Sequence, residues 1–255
     1  MFSSILKINN HKEKKNNIII KIKSKQTIFD KDIKDKVILF TQFYIPNNEE
    51  RYKEIKETLK INVNNKLINH IILINERKYT EKEMGIHDKK IIQIIKNGRM
   101  TFADVIKNIK KYSNIRGYII VSNSDIFFDK SLDNIYKSNL FSEKKIYSQL
   151  RLEYDKNNIN NYKLFNLIDW CADTWIFHTN KIQYFNNIND LDVKLGKGGI
   201  DQIIPYFFYM NGFKIYNEPF FIKTYHNHHN NYRTWEKNAV IPPKMLLCSP
   251  NLKNK

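Results

Sequence analysis

Apolar positions fall along this chain in two rhythms. VILFTQFY (37–44), NHIILIN (69–75), KKIIQII (89–95), GYIIVS (117–122), KIYSQLRLE (145–153) and DTWIFH (173–178) carry short apolar runs of strand length. Continuous runs of that kind suit strands covered on both faces. Between them, EERYKEIKETLKINV (49–63) repeats its apolar residues every three or four positions, which predicts a helix after the turn at Pro46-Asn47-Asn48. Thr101 opens a second helix, TFADVIKNIKKY, with Asp104 three positions on in a capping-box-like arrangement. A third follows Gly198-Gly199 as IDQIIPYFFYMNG and ends at Gly212. FKIYN (213–217) and PFFIKTYH (219–226) read as two more strands. Strands alternating with helices predict an α/β fold, a mostly parallel central sheet with helices on both faces. In such sheets ligands sit outside the carboxyl ends of the strands.

This pattern begins at about residue 36. Residues 1–35 carry a polar charge run, NNHKEKKNN, and one strand-like run, NIIIKIKSK. They are expected to form a basic arm or an added edge hairpin. Residues 36–255, including a tail with little periodicity, are expected to form a single domain.

Charge changes the picture only in part. Forty-three basic residues against 26 acidic ones give a net charge of +17, which favours an anionic ligand. The lysines are spread along the whole chain rather than gathered with aromatics, as a nucleic-acid groove would require. Cys171 and Cys248 lie far apart, so no zinc ribbon or redox pair is expected. The N-terminal apolar stretch is too short for a signal peptide and no run is long enough to span a membrane, which predicts a cytoplasmic location.

Five places can carry chemistry. Asn123-Ser124-Asp125 ends a buried strand, where a carboxylate can ligate Mg²⁺ or Mn²⁺ or can close an Asx-turn on its own backbone. Asp129 behind it is suited to capping the next helix. In TYHNHHNNYR (224–233), His226 and His228 fall on one side of an extended segment and can bind a metal together, while His229 points away. Asp201, after the glycines, can act as a general base or simply cap its helix. Asp173 lies between Trp170 and Trp175, one expected in the core and the other against a sugar. Arg99, before the second helix, can clamp a phosphate or remain a surface group.

The order of these motifs resembles a known family. T-x-F-Y (41–44), I-x-L-x-N-E, G-R-x-T-F-x-D, N-S-D-I-x-F-D, D-x-W-I-F, G-G-x-D and I-K-T-Y-H-x-H-x-x-x-x-R together resemble the GT-A nucleotide-diphospho-sugar glycosyltransferases, of the NSDI-F-D type met in large DNA viruses and microbes. The resemblance covers roughly residues 36–235. It implies a GT-A (Rossmann-like) fold and metal-dependent transfer of a sugar from a nucleotide-diphosphate sugar to a hydroxyl of a glycan or other acceptor, with inversion. Asp125 matches the metal-binding aspartate of the family's D-x-D motif, and Asn123 stands where its first aspartate would be. His226 or His228 resembles the histidine that completes the Mn²⁺ or Mg²⁺ site in some members. Asp201 resembles the catalytic base of inverting members. Thr41, Phe43 and Tyr44 match the strand end that receives the nucleotide, with Ser124 beside Asn123. Arg99 and Asp104 match the segment beside the donor, and Asp173 a donor- or acceptor-sugar position. Two other classes stay open on the sequence: a basic nucleic-acid-binding protein or metal-dependent nuclease, and an inactive carbohydrate-binding relative.

Overall fold

The computed structural model describes residues 35–112, 115–166, 171–185, 187–229 and 246–252. The expected arm at residues 1–34, Trp170 and Arg233 lie outside the described residues. Among the described residues, eleven strands and four α-helices follow in chain order: β1 (Lys36–Thr41), α1 (Glu49–Asn64), β2 (His70–Asn75), α2 (Glu81–Met84), β3 (Ile91–Ile95), α3 (Phe102–Lys111), β4 (Gly117–Ser122), β5 (Ile126–Phe128), β6 (Lys145–Gln149), β7 (Leu152–Asp155), β8 (Asn158–Leu164), β9 (Thr174–His178), α4 (Ile200–Met210), β10 (Lys214–Tyr216) and β11 (Thr224–His226). Among the described residues no helix is long and apolar enough to cross a membrane.

The apolar runs become the central sheet, ordered β10-β6-β9-β4-β1-β2-β3. β1 pairs in parallel with β2 and β4, β2 with β3, and β6 with β10. β9 runs against its neighbours β4 and β6. The period of two along β1 divides the core. Ile38 and Phe40 pack on one side with Phe102, Val105 and Ile106 of α3 and Ile203, Ile204 and Phe208 of α4. Val37 and Leu39 pack on the other with Ile55, Leu59 and Val63 of α1. Both faces are therefore covered, and every residue of β1 from Val37 onward is buried. Burying one such aliphatic side chain contributes roughly 1.5–3 kcal/mol.

A second, smaller sheet, ordered β5-β11-β7-β8, stands beyond the C-terminal end of β4. The sequence pattern does not mark it. KIYSQLRLE is not one strand: it divides at Leu150-Arg151, with β6 in the large sheet and β7 in the small one. Of PFFIKTYH only Thr224–His226 is strand, because the backbone of 218–222 is held instead by the Gln149 side chain. Asp129 caps a helix as expected. Its carboxylate accepts from Ser131 N at 2.8 Å, and the helix, Lys130–Lys137, is of 3₁₀ type.

Candidate active site

The small sheet explains why distant residues meet. β11 lies antiparallel to β5, with His226 opposite Ile126, so Asp125 is carried in beside the imidazole. β11 also lies beside β7, with Tyr225 opposite Leu152, which brings Glu153 to the other side of the same ring. His226 Nε2 is 3.3 Å from Asp125 Oδ2, and His226 Nδ1 is 3.1 Å from Glu153 Oε1. His228 Nδ1 is 3.9 Å from the same Asp125 oxygen, and the two imidazole centroids are 5.3 Å apart. A guanidinium closes this group: Arg51, in the first turn of α1, binds Asp125 Oδ2 and reaches Glu54 at 3.0 Å and the Asn227 carbonyl at 3.3 Å. Asp125 is only 8% exposed. Burial would raise its pKa, but His226 and Arg51 outweigh burial and hold it well below the usual carboxylate range. Burial likewise opposes a charge on His226, yet Asp125 and Glu153 raise its pKa to about 9.

Arg51, Asp125, His226 and His228 line a cavity of about 410 Å³. Asp173 and Asp201 line it as well. Asp173 sits just before β9. Its Oδ1 accepts from Asn123 Nδ2 at 2.7 Å, and its Oδ2 accepts from Arg151 at 2.9 Å and from the Cys171 thiol at 3.0 Å. Arg151 also donates from Nε to Glu153 Oε1 at 2.9 Å. Its guanidinium lies 3.9 Å over the Phe165 ring. Asp201 stands in the first turn of α4 and keeps partial exposure. Desolvation, then the charge of Asp173, push its pKa well above the ordinary value, against Arg151 and a hydrogen bond from the Ala172 backbone. Two neighbouring carboxyl groups thus have different environments, Asp173 on a guanidinium and Asp201 without that contact.

The remaining wall is basic. Arg99 and Lys197 line the cavity together with Gly196 and Gly198. Two segments form it and are laced together: Leu195 N donates to Met100 O at 3.0 Å, Phe102 N donates to Val193 O at 3.1 Å, and Thr101 bridges Lys194. Gly196 has a φ of +70°, and a Cβ there would lie 2.8 Å from the Arg99 guanidinium.

Of the residues singled out in the sequence, the cavity brings together Tyr44, Arg99, Asn123, Ser124, Asp125, Asp173, Asp201, His226 and His228. It does not bring in Phe43, Thr41 or Asp104. Phe43 is 1% exposed; its N–H is taken by Asn75 Oδ1 at 2.9 Å, and its ring packs edge-on against Tyr52 and Tyr79. Thr41 lies in a separate small void under the 123–126 turn. Asp104 completes the Thr101 capping box, accepting from Thr101 N at 2.7 Å and from Lys96. Trp175 is fully buried in the core. His229 is exposed, with its ring edge-on to Tyr154. Arg51, Arg151, Glu153 and Gln42 were not marked by sequence. Arg51 and Glu153 are partners of residues more than 70 positions away, so no local signal exists for them.

The donor set at Asp125 fits a divalent cation. Asp125, His226 and His228 each offer a ligand atom, all within 4.8 Å of one another. Asp125 Oδ1 is buried and has no hydrogen-bond partner among the described residues. Carboxylate and imidazole together suit Mn²⁺ and its neighbours in the first transition row.

No protein-family model matches this chain, and no curated protein does. Among solved structures, GalNAc-T7 with UDP, GalNAc and Mn²⁺ is similar with a TM-score of 0.52 at 11% identity, over 82% of this chain and 45% of that one. The present chain therefore spans less than half of GalNAc-T7. The 4-diphosphocytidyl-2C-methyl-D-erythritol synthase of Anaerococcus prevotii gives a TM-score of 0.43 at 12% identity, over 73% of this chain and 88% of that one. The fold likeness rests on the first of these, and at such identity it is a likeness of fold alone: a GT-A-like α/β domain with a large central sheet.

Proposed function

We propose that this protein is a metal-dependent glycosyltransferase that moves a sugar from a nucleotide-diphosphate sugar to a hydroxyl acceptor with inversion. The observation that carries this reading is the meeting of Asp125, His226 and His228 in the same cavity as Asp201 and Asp173. GalNAc-T7, the similar structure, holds UDP, a sugar and Mn²⁺.

Asp125, His226 and His228 would hold Mn²⁺ or Mg²⁺. The ion, when bound, supplies positive charge to the diphosphate as it leaves. Arg99 and Lys197 add fixed cations on the wall of the same cavity, where preorganised charge needs no reorganisation. Tyr44 offers a ring at the end of β1 for the nucleotide base. Asp201 takes the proton of the acceptor hydroxyl as its oxygen attacks the anomeric carbon. Its raised pKa suits a base working near neutral pH. Asp173, held by Arg151 and Asn123, orients sugar hydroxyls beside Asp201.

The test is release of nucleoside diphosphate from a panel of nucleotide sugars, with Mn²⁺ or Mg²⁺ and then with chelator. Release from one donor that stops with chelator, and is abolished by Asp125→Asn, is the expected result. Equal release by Asp125→Asn would remove this site from the reaction. Retention of the donor configuration in the product would remove Asp201 as the base of a direct displacement.

A further inference from the structure

The small sheet sets a carboxylate on the far side of the His226 ring from Asp125. Glu153 Oε1 and Oε2 lie 3.1 Å and 3.2 Å from Nδ1. Nε2 is the nitrogen that faces Asp125. His226 is 3% exposed, so solvent does not compete for the ring. An imidazole has one orientation and two tautomers to be chosen, and the partner of one nitrogen decides what the other can do. Glu153 is itself fixed: Arg151 Nε binds its Oε1, while the same guanidinium binds Asp173 through Nη1. Neighbouring strands β11 and β7 set the separation of the two side chains.

We propose that Glu153 is a positioning residue for His226. It accepts a hydrogen bond from Nδ1–H, fixes the plane of the ring and so directs Nε2 toward a cation shared with Asp125. The orientation rests on hydrogen bonding alone; the cation rests on the metal-dependent reading above. Carboxylates behind ligating histidines raise ligand basicity, and their loss typically lowers metal affinity 10–100-fold. Arg151 braces the carboxylate, so a single guanidinium orients both the imidazole ligand and Asp173.

The experiment uses the full chain labelled with ¹⁵N at histidine, as wild type, Glu153→Gln and Glu153→Ala, with thermal melts to verify folding. In wild type the Nδ1–H of His226, assigned by its loss in His226→Gln, gives a downfield resonance that exchanges slowly with solvent. It moves upfield in Glu153→Gln, which still offers a neutral acceptor, and is lost in Glu153→Ala. Calorimetric titration with MnCl₂ shows about 10–100-fold weaker binding in Glu153→Gln. An Nδ1–H signal unchanged in both variants overturns the proposal, as does an unchanged Mn²⁺ affinity in Glu153→Gln. Wild type that binds no Mn²⁺ overturns the metal-dependent reading instead, and the resonance then decides the hydrogen bond by itself. If Glu153→Ala fails to fold, Glu153→Gln carries both readouts.

Discussion

Arg151→Met separates charge from packing at the centre of the cavity wall. Methionine puts apolar bulk in place of the guanidinium that lies over Phe165. Arg151 and Asp173 are 9% and 6% exposed, and their contact is 2.9 Å. Removing one partner of such a pair leaves the other charge buried, at a cost of about 3–5 kcal/mol. Two features place this site within that range. Asp173 retains Asn123 and Cys171 as donors, which lowers the cost, while Asp201 and Glu153 remain as neighbouring carboxyls, which raises it. In a domain of this size the loss would lower Tm by roughly 6–20 °C, taking about 2–4 °C per kcal/mol. Asp173→Asn should cost less, because Arg151 keeps Glu153 and an amide stays within reach. The double variant should then cost less than the sum of the two, by roughly 0.5–3 kcal/mol. Urea unfolding at pH 7.5, followed by circular dichroism on all four proteins, measures this. A loss below about 1 kcal/mol for Arg151→Met, or simple additivity, would refute the claim that this pair anchors the wall.

Asp201→Asn should stabilise the fold while stopping transfer. A carboxyl whose folded pKa is raised above its unfolded value is penalised as pH rises past the unfolded value, so the gain from Asn should be absent near pH 3 and full well above the raised pKa; melts across that range would show it. By the same sign, transfer should fall as pH drops through the raised pKa of Asp201. Asp173→Asn should shift that acidic limb of the rate profile to lower pH by removing the like charge; a limb that stays in place would exclude Asp201 as the titrating base. Gly196→Ala should cost about 1–2 kcal/mol for the left-handed backbone and displace Arg99, raising the donor KM; an unchanged KM would take Arg99 out of donor binding.

The strands of the large sheet were legible because burial on both faces writes itself as an unbroken apolar run, as in residues 37–40 and 71–74. Helices α1 and α3 were legible from their spacing and caps. The small sheet was not. Its strands are short, β8 is mostly exposed and rich in asparagine, and nothing in the period of KIYSQLRLE marks the corner at Leu150-Arg151 where the chain changes sheets. Asp125, His226 and His228 could be singled out because they stand where apolar runs end, and Asp201 because glycines precede its helix. Their basic partners could not. Arg51 looks like any polar residue in the first turn of a helix, and only the fold shows that it faces Asp125. Phe43 illustrates the opposite difficulty: an aromatic at a strand end suits a ligand or a core equally, and Asn75 and Tyr79 draw it inward.

The lacing of residues 99–102 to 193–195 has an evolutionary consequence. With Arg99 resting over the bare Cα of Gly196, the two segments cannot drift independently. A side chain at 196 would meet only the far end of the exposed Arg99 side chain, so a change at 196 moves the guanidinium without breaking the lacing. An insertion in either segment would break the register of both. Descendants of this chain that change what the basic wall accepts are therefore expected to vary the residues at 99 and 196, which move one charge, while the main-chain pairing between the two segments is kept.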